Sequence, residues 1–290
     1  MTRTVRMATR GSAQARTQAE HVARMIESAH DGVRVELVLV ETTGDRRQDV
    51  PLHVIGGQGV FVKEVQRAVL DGRADIAAHS AKDLPSTDEP GLAIGAFCLR
   101  RNPADALVGR SLEQLAAGAT VATGAVRRRA QLAAVRPDLQ FVELRGNIQT
   151  RLRKIPDEGA IVMAVAALEI LGLTELVAQE LDPQVFVPAI GQGCVAIECR
   201  ADAGDVGELL AAVDDAATRR AVETERVFLA TLGAGCTLPV GAYVAGDRLH
   251  GFLADERGRA VREVVALRDG EEAAQAATLA EDLRRALGDG

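Results

Sequence analysis

Through the first two hundred residues, short runs rich in Val, Ile and Ala alternate with stretches whose apolar positions recur every three or four residues. That alternation of strand and helix patterns predicts a parallel or mixed sheet covered by helices. Val5 to Thr9 reads as a strand, Gln14 to Ala29 as a helix and Val33 to Thr42 as a second strand; a helix from Phe61 to Leu70 and a short strand at Ile76 to Ala78 follow. A second series begins at Ala106. It has Thr120 to Ala122, Gln140 to Leu144 and Ala160 to Val165 as strands, with helices from Val126 to Val135 and from Ile148. After Pro188 a strand from Val195 to Cys199 is placed to return to the first sheet. From Ala216 the pattern changes to a long helix ending near Gly233, three strands between Val240 and Leu267, and a closing helix from Glu271. The expected fold class is α/β, two such domains followed by a small α+β domain.

Composition narrows the partners. At 290 residues and 47% apolar content the chain can build two or three cores. With no Trp and a single Tyr it offers no platforms for stacking bases and no interfacial belt, which argues against nucleic acid and membrane as partners. The stretch from Met1 through Arg16 lacks the apolar run of a secretory signal, so a cytoplasmic protein is expected. Cys98, Cys194, Cys199 and Cys236 have neither metal-ligand spacing nor the density of a disulfide scaffold, so no metal is expected and the thiols should be reduced.

Charge points to a site. The net charge is -7, yet Arg127, Arg128, Arg129, Arg145, Arg151 and Arg153 gather at the starts of two expected helices. Guanidinium forks and helix starts both favour carboxylates or phosphates, and the bland alternative is a solvated basic face. Arg10, Gly11 and Ser12 end the first strand and open a helix, a second anion cradle. Lys82 and Asp83 follow the short strand from Ile76, where α/β sheets place ligand-binding residues; a surface ion pair is the alternative. Gly56-Gly57-Gln58-Gly59 lacks the ending of a P-loop and reads as a flap or plain loop. Cys236 lies in the Gly- and Pro-rich turn from Gly233 to Gly241, where a thiol is accessible, whereas Cys98 reads as a core residue.

Taken together, ATRGS at Ala8 to Ser12, HSAKDLP at His79 to Pro85, the double Arg at Arg127 and Arg128, LRGNIQTRL at Leu144 to Leu152, PAIGQGCVAIECR at Pro188 to Arg200 and the GAGC loop ending at Cys236 resemble the porphobilinogen deaminases over essentially the whole chain. The resemblance implies two mixed-sheet domains of periplasmic-binding-protein-like type around a cleft, with residues 1–98 and 189–212 as the first, 99–188 as the second and 213–290 as the third. It implies head-to-tail condensation of four porphobilinogen molecules into hydroxymethylbilane, with release of ammonia, by a cytoplasmic monomer of tetrapyrrole biosynthesis. It also implies a dipyrromethane cofactor on Cys236 through a thioether, with Asp83 as the catalytic carboxylate. Lys82, Asp83, Thr123, Arg127, Arg128 and Arg145 would hold that cofactor, while Arg10, Ser12 and Arg151 would hold substrate.

The chain departs from the family pattern at three places. Ala122-Thr123-Gly124-Ala125 stands where Gly-Thr-Ser-Ser is usual, Ile170 replaces an Arg, and Gln58 replaces a frequent Lys. Each charged hydrogen bond lost from a polyanion site costs ~1–3 kcal/mol, with Arg129, Arg153 and Arg16 as candidate replacements. These departures motivate a rival, a divergent paralogue acting on another pyrrole or giving another chain length. A second rival is a non-catalytic carboxylate-binding module; Asp83 and Cys236 argue against it, since a binder needs neither.

Overall fold

The computed structural model describes residues 2–46, 59, 61–233, 238–255 and 257–288. The glycine cluster before Gly59, with Gln58, and the cysteine loop with Cys236 lie outside them. Thirteen strands form three sheets among the described residues.

The first sheet has the order β2-β1-β3-β10-β4, from Val33–Val40, Arg3–Arg10, Ile76–Ser80, Val195–Arg200 and Leu92–Phe97. Strands β1, β2 and β3 are parallel, and β10 enters antiparallel between β3 and β4. Residues 195–199 of β10 are all buried, so this central strand reads as a nearly unbroken apolar run. The helix Ala13–Ala29 covers one face through Ala19, Val22, Ala23 and Ile26, the spacing of one helical stripe. Ser12 caps its start, accepting from Ala15 N at 3.3 Å.

The second sheet repeats the plan as β7-β6-β8-β5-β9, from Gln140–Val142, Thr120–Ala122, Ala160–Ala164, Asp105–Gly109 and Val177–Leu181. Here β6, β7 and β8 are parallel and β5 runs antiparallel between β8 and β9. In each sheet the antiparallel strand is the one the chain reaches just after crossing from the other lobe. Two crossovers, residues 98–104 and 182–194, therefore join the lobes side by side. The expected return of the strand after Pro188 to the first sheet is what β10 does.

The third sheet, β11-β12-β13 from Val240–Ala245, Arg248–Ala254 and Ala260–Ala266, is antiparallel. The helices Ala216–Leu232 and Glu272–Gly288 pack on one face through Phe228, Leu229, Leu249, Leu279 and Leu283. A Cβ at Gly251 would lie 2.9 Å from Leu283 Cδ1, which is why the helix can approach there. The other face meets the second lobe through Phe252, Ala254, Val187 and Ala130. The Ala216–Leu232 helix ends at Gly233, whose φ of 61° supplies the left-handed cap.

The two α/β units with mixed sheets and the small α+β unit agree with the expectation from the sequence. The strands β4 and β9 and the helix Gly204–Leu210 carry no clear alternation of their own and come into view only in the structure.

Candidate active site

A cleft of about 550 Å³ opens between the two lobes. On the first lobe, β3 ends at Ser80 and a 3-10 turn, Ala81–Asp83, carries Lys82 and Asp83 into the cleft. Ala81 N donates to Cys194 O at 3.0 Å, tying that turn to the returning crossover. Arg10 and Ser12 reach the same space from the end of β1, and the Arg10 guanidinium lies 4.0 Å from the Phe61 ring centroid. Ser12 uses its oxygen as an acceptor in the helix cap, which leaves its O–H to donate.

The second lobe contributes Arg128 from the helix Val126–Val135, with Arg145 and Arg151 around the short helix Ile148–Leu152. Met163, Ala164, Ala167 and Leu171 form an apolar wall beside them. Asn147 caps the short helix by accepting from Thr150 N at 2.9 Å, and Arg151 Nε donates to Gly146 O at 2.8 Å. Arg145 Nη1 is buried and has no hydrogen-bond partner among the described residues. A buried guanidinium N–H without an acceptor is costly in isolation, and an anionic ligand would satisfy it.

The cations are crowded. Burial, with Arg128 beside it, brings the Lys82 ammonium down to about 8, against the opposing pull of Asp83 and Asp105. Burial together with Arg128 and Arg145 lowers Arg151 to about 10, while Asp83 acts in the other direction. Such depressed values mark positive groups held close together and short of counter-ions.

Two residues expected to hold a ligand stand behind the wall. Arg127 donates to Asp105 Oδ2 and to Val187 O, both at 2.7 Å, and does not line the cleft. Thr123 is buried, its hydroxyl accepting from Ala125 N at 3.2 Å, and it too is absent from the lining. Arg128 lines the cleft but is also anchored, by Asp105 Oδ1 at 2.7 Å and Val162 O at 2.8 Å. Asp105, fully buried, is the counter-ion of both. Burial raises its carboxyl, but Arg127, Arg128 and a hydrogen bond from Gln192 overcome that and hold it well below the usual carboxylate range. Asp105 carries little signal in the sequence beyond being an acid at the head of the short apolar run 106–108.

Glycine at position 124 has a steric cause. A Cβ there would lie 2.8 Å from Leu144 O, so the loop before the double Arg packs its backbone against the strand-end that leads to Arg145. Ile170 ends the helix Val165–Glu169, beside the lining residue Leu171, and is itself absent from the lining.

Cys98, Cys194 and Cys199 are buried. Burial, aided by Asp214, pushes the Cys98 thiol up to about 12, and burial raises Cys194 and Cys199 as well. None of the three is poised to react at neutral pH. No group of His, Cys, Asp and Glu fit for a metal ion occurs among the described residues, and no described helix is long and apolar enough to cross a membrane.

Known proteins supply the frame for this cleft. The family model described as "Porphobilinogen deaminase, dipyromethane cofactor binding domain" matches residues 5–208. A porphobilinogen deaminase of Nitratidesulfovibrio vulgaris (strain DSM 19637 / Miyazaki F) is 46% identical, over 97% of this chain and 92% of its own length. One of Roseiflexus castenholzii is 42% identical over 99% and 98%. Among solved structures, the methionine binding protein MetQ gives a TM-score of 0.46 at 17% identity, covering 74% of this chain and 91% of that one. With the family model spanning most of the chain and these relatives aligned nearly end to end, the chain belongs to the porphobilinogen deaminase family.

Proposed function

We propose that the protein is a hydroxymethylbilane synthase. It joins four porphobilinogen molecules head to tail, releasing ammonia, in tetrapyrrole biosynthesis. The observation that carries this reading is the convergence of Arg10, Lys82, Arg128, Arg145 and Arg151 on the cleft that Asp83 enters. Each porphobilinogen brings two carboxylates, so a growing chain needs many cationic partners. Departure of ammonia leaves positive charge on the substrate, and Asp83 offsets it inside a cleft where water screens poorly.

The residues present fit a covalent dipyrromethane. Arg145 Nη1, buried without an acceptor among the described residues, and the lowered Lys82 and Arg151 suit a site for several carboxylates. When bound, the dipyrromethane supplies the primer end to which new units are added. Cys236 would hold it; Cys98, Cys194 and Cys199 are buried. Lys82, Arg128, Arg145 and Arg151 bind carboxylates directly. Arg127 and Thr123 support the cofactor by fixing the wall from which Arg128 extends. Arg10 and the Ser12 O–H hold the incoming substrate, and the Met163 to Leu171 wall receives apolar ring faces.

On this reading the chain divides into residues 1–98 with 189–212, 99–188 and 213–290, which the three sheets support. It acts as a cytoplasmic monomer that binds no nucleic acid. The test is incubation of purified protein with porphobilinogen, following ammonia and linear tetrapyrrole. Four ammonia per tetrapyrrole is expected; absence of ammonia release, or a product of another length, contradicts the reading.

A further inference from the structure

The string Gly191-Gln192-Gly193 lies in the crossover that returns the chain to the first lobe. Gly191 has φ +67°, and a Cβ there would lie 2.9 Å from Ala81 Cβ; Gly193 has φ +89°, and a Cβ there would lie 2.6 Å from Arg101 O. Both positions need glycine for their conformation and for the close approach. The segment is thereby pressed between the turn that bears Lys82 and Asp83 and the outgoing crossover. Its backbone is pinned on both sides of Gln192. Gly191 N donates to Glu225 Oε2 at 2.7 Å, and Arg100, itself paired with Glu225 at 2.6 Å, donates to Gln192 O at 2.8 Å.

The Gln192 side chain, 1% exposed, fills the gap that results. Its Oε1 accepts from Lys82 Nζ at 3.2 Å, and its Nε2 donates to Asp105 Oδ1 at 2.9 Å and Pro103 O at 2.8 Å. Chemistry fixes which way the amide points: an ammonium only donates and an ionised carboxylate only accepts. A primary amide serves both at once, which neither a carboxylate nor an apolar side chain of that length does. Asp105 then orients Arg128 through two hydrogen bonds. One amide therefore ties a carboxylate-binding group of the first lobe to one of the second.

We propose that Gln192 is a positioning residue that sets Lys82 and, through Asp105, Arg128 at the spacing required by the carboxylates of substrate and cofactor. The proposal rests on the function given above and deepens it. Lys82 also feels Arg128, Arg127, Asp83 and Asp105 from the elements around it, so its titration reports the local arrangement.

The chain has three lysines, Lys63, Lys82 and Lys154, so protein carrying [ε-13C]lysine gives three assignable signals. In the parent, Lys82 should titrate with a midpoint of about 8. Gln192→Met removes both partners: the midpoint should fall, and the KM for porphobilinogen should rise roughly ten-fold, the scale of one hydrogen bond to a charged group, with kcat changed less. Gln192→Glu keeps an acceptor for Lys82 and adds negative charge, so the midpoint should rise above the parent's and part of the affinity should return. Should the Met variant fail to fold, the Glu variant decides. A folded variant whose Lys82 titration and KM both match the parent overturns the proposal, as does a loss of kcat with Lys82 unmoved. A parent that consumes no porphobilinogen strikes the proposed function instead, and the lysine titration still judges the Gln192–Lys82 contact.

Discussion

Arg127 Nη2 lies 2.7 Å from Asp105 Oδ2, with both side chains buried. The paired arginines thus divide their work: the first is locked into the wall, and the second, sharing the same carboxylate, faces the cleft. A buried ion pair of this kind adds little net stability over a well-packed apolar pair, but it is expensive to break.

Asp105→Asn should accordingly destabilise the protein by about 3–5 kcal/mol, because two buried guanidinium groups lose their counter-ion. Urea denaturation measures this. A midpoint equal to the parent's would show that Asp105 is not what holds the double Arg.

Asp83→Asn preserves shape and removes the charge. Turnover should drop by roughly 10²–10³-fold, as for other preorganised electrostatic groups, while thermal unfolding stays close to the parent's. An Asn variant that consumes porphobilinogen at the parent rate reduces Asp83 to a structural anion.

Lys82 makes carboxylate binding depend on pH. Its value is lowered to about 8 by burial and Arg128, so the ammonium is lost as pH rises through about 8, and with it one positive partner for a carboxylate. The KM for porphobilinogen should therefore increase above pH 8, and Lys82→Gln should abolish that limb. For stability the sign runs the other way. The folded form binds fewer protons than the unfolded one between about 8 and the ordinary lysine value of 10.5, so this group's contribution favours folding more as pH rises across that window.

Gly124→Ser introduces a hydroxyl but places a Cβ 2.8 Å from a backbone carbonyl. The variant should lose about 1–3 kcal/mol of stability and gain no affinity for porphobilinogen. A stable Ser variant with lower KM would mean the loop yields easily and the missing hydroxyl matters.

The elements were legible where period and flanks agreed. Val126 to Val135 appears with the bounds its pattern predicts, and Ala216 onward forms the long helix ending at a left-handed Gly233. Strand β9 was missed because an edge strand such as VAQEL is half solvated, with Ala178 and Glu180 exposed and Gln179 on the other face, so it shows no apolar alternation. The cleft residues Arg10, Lys82, Asp83, Arg145 and Arg151 were legible because charge stands out beside strand ends and helix starts. Adjacent arginines on a helix point about 100° apart, and which one lines the cleft depends on Asp105, a residue twenty-two positions from Arg127 that only the fold brings near.

Whether this chain builds and extends a pyrrole chain on Cys236 is read from the intact mass of denatured protein before and after limiting porphobilinogen, with peptide mapping of the adduct. The expected result is a covalent two-pyrrole adduct on Cys236, with further single-pyrrole steps on addition of substrate. An unmodified chain in freshly prepared active protein, or an adduct on Cys98, Cys194 or Cys199, would contradict it.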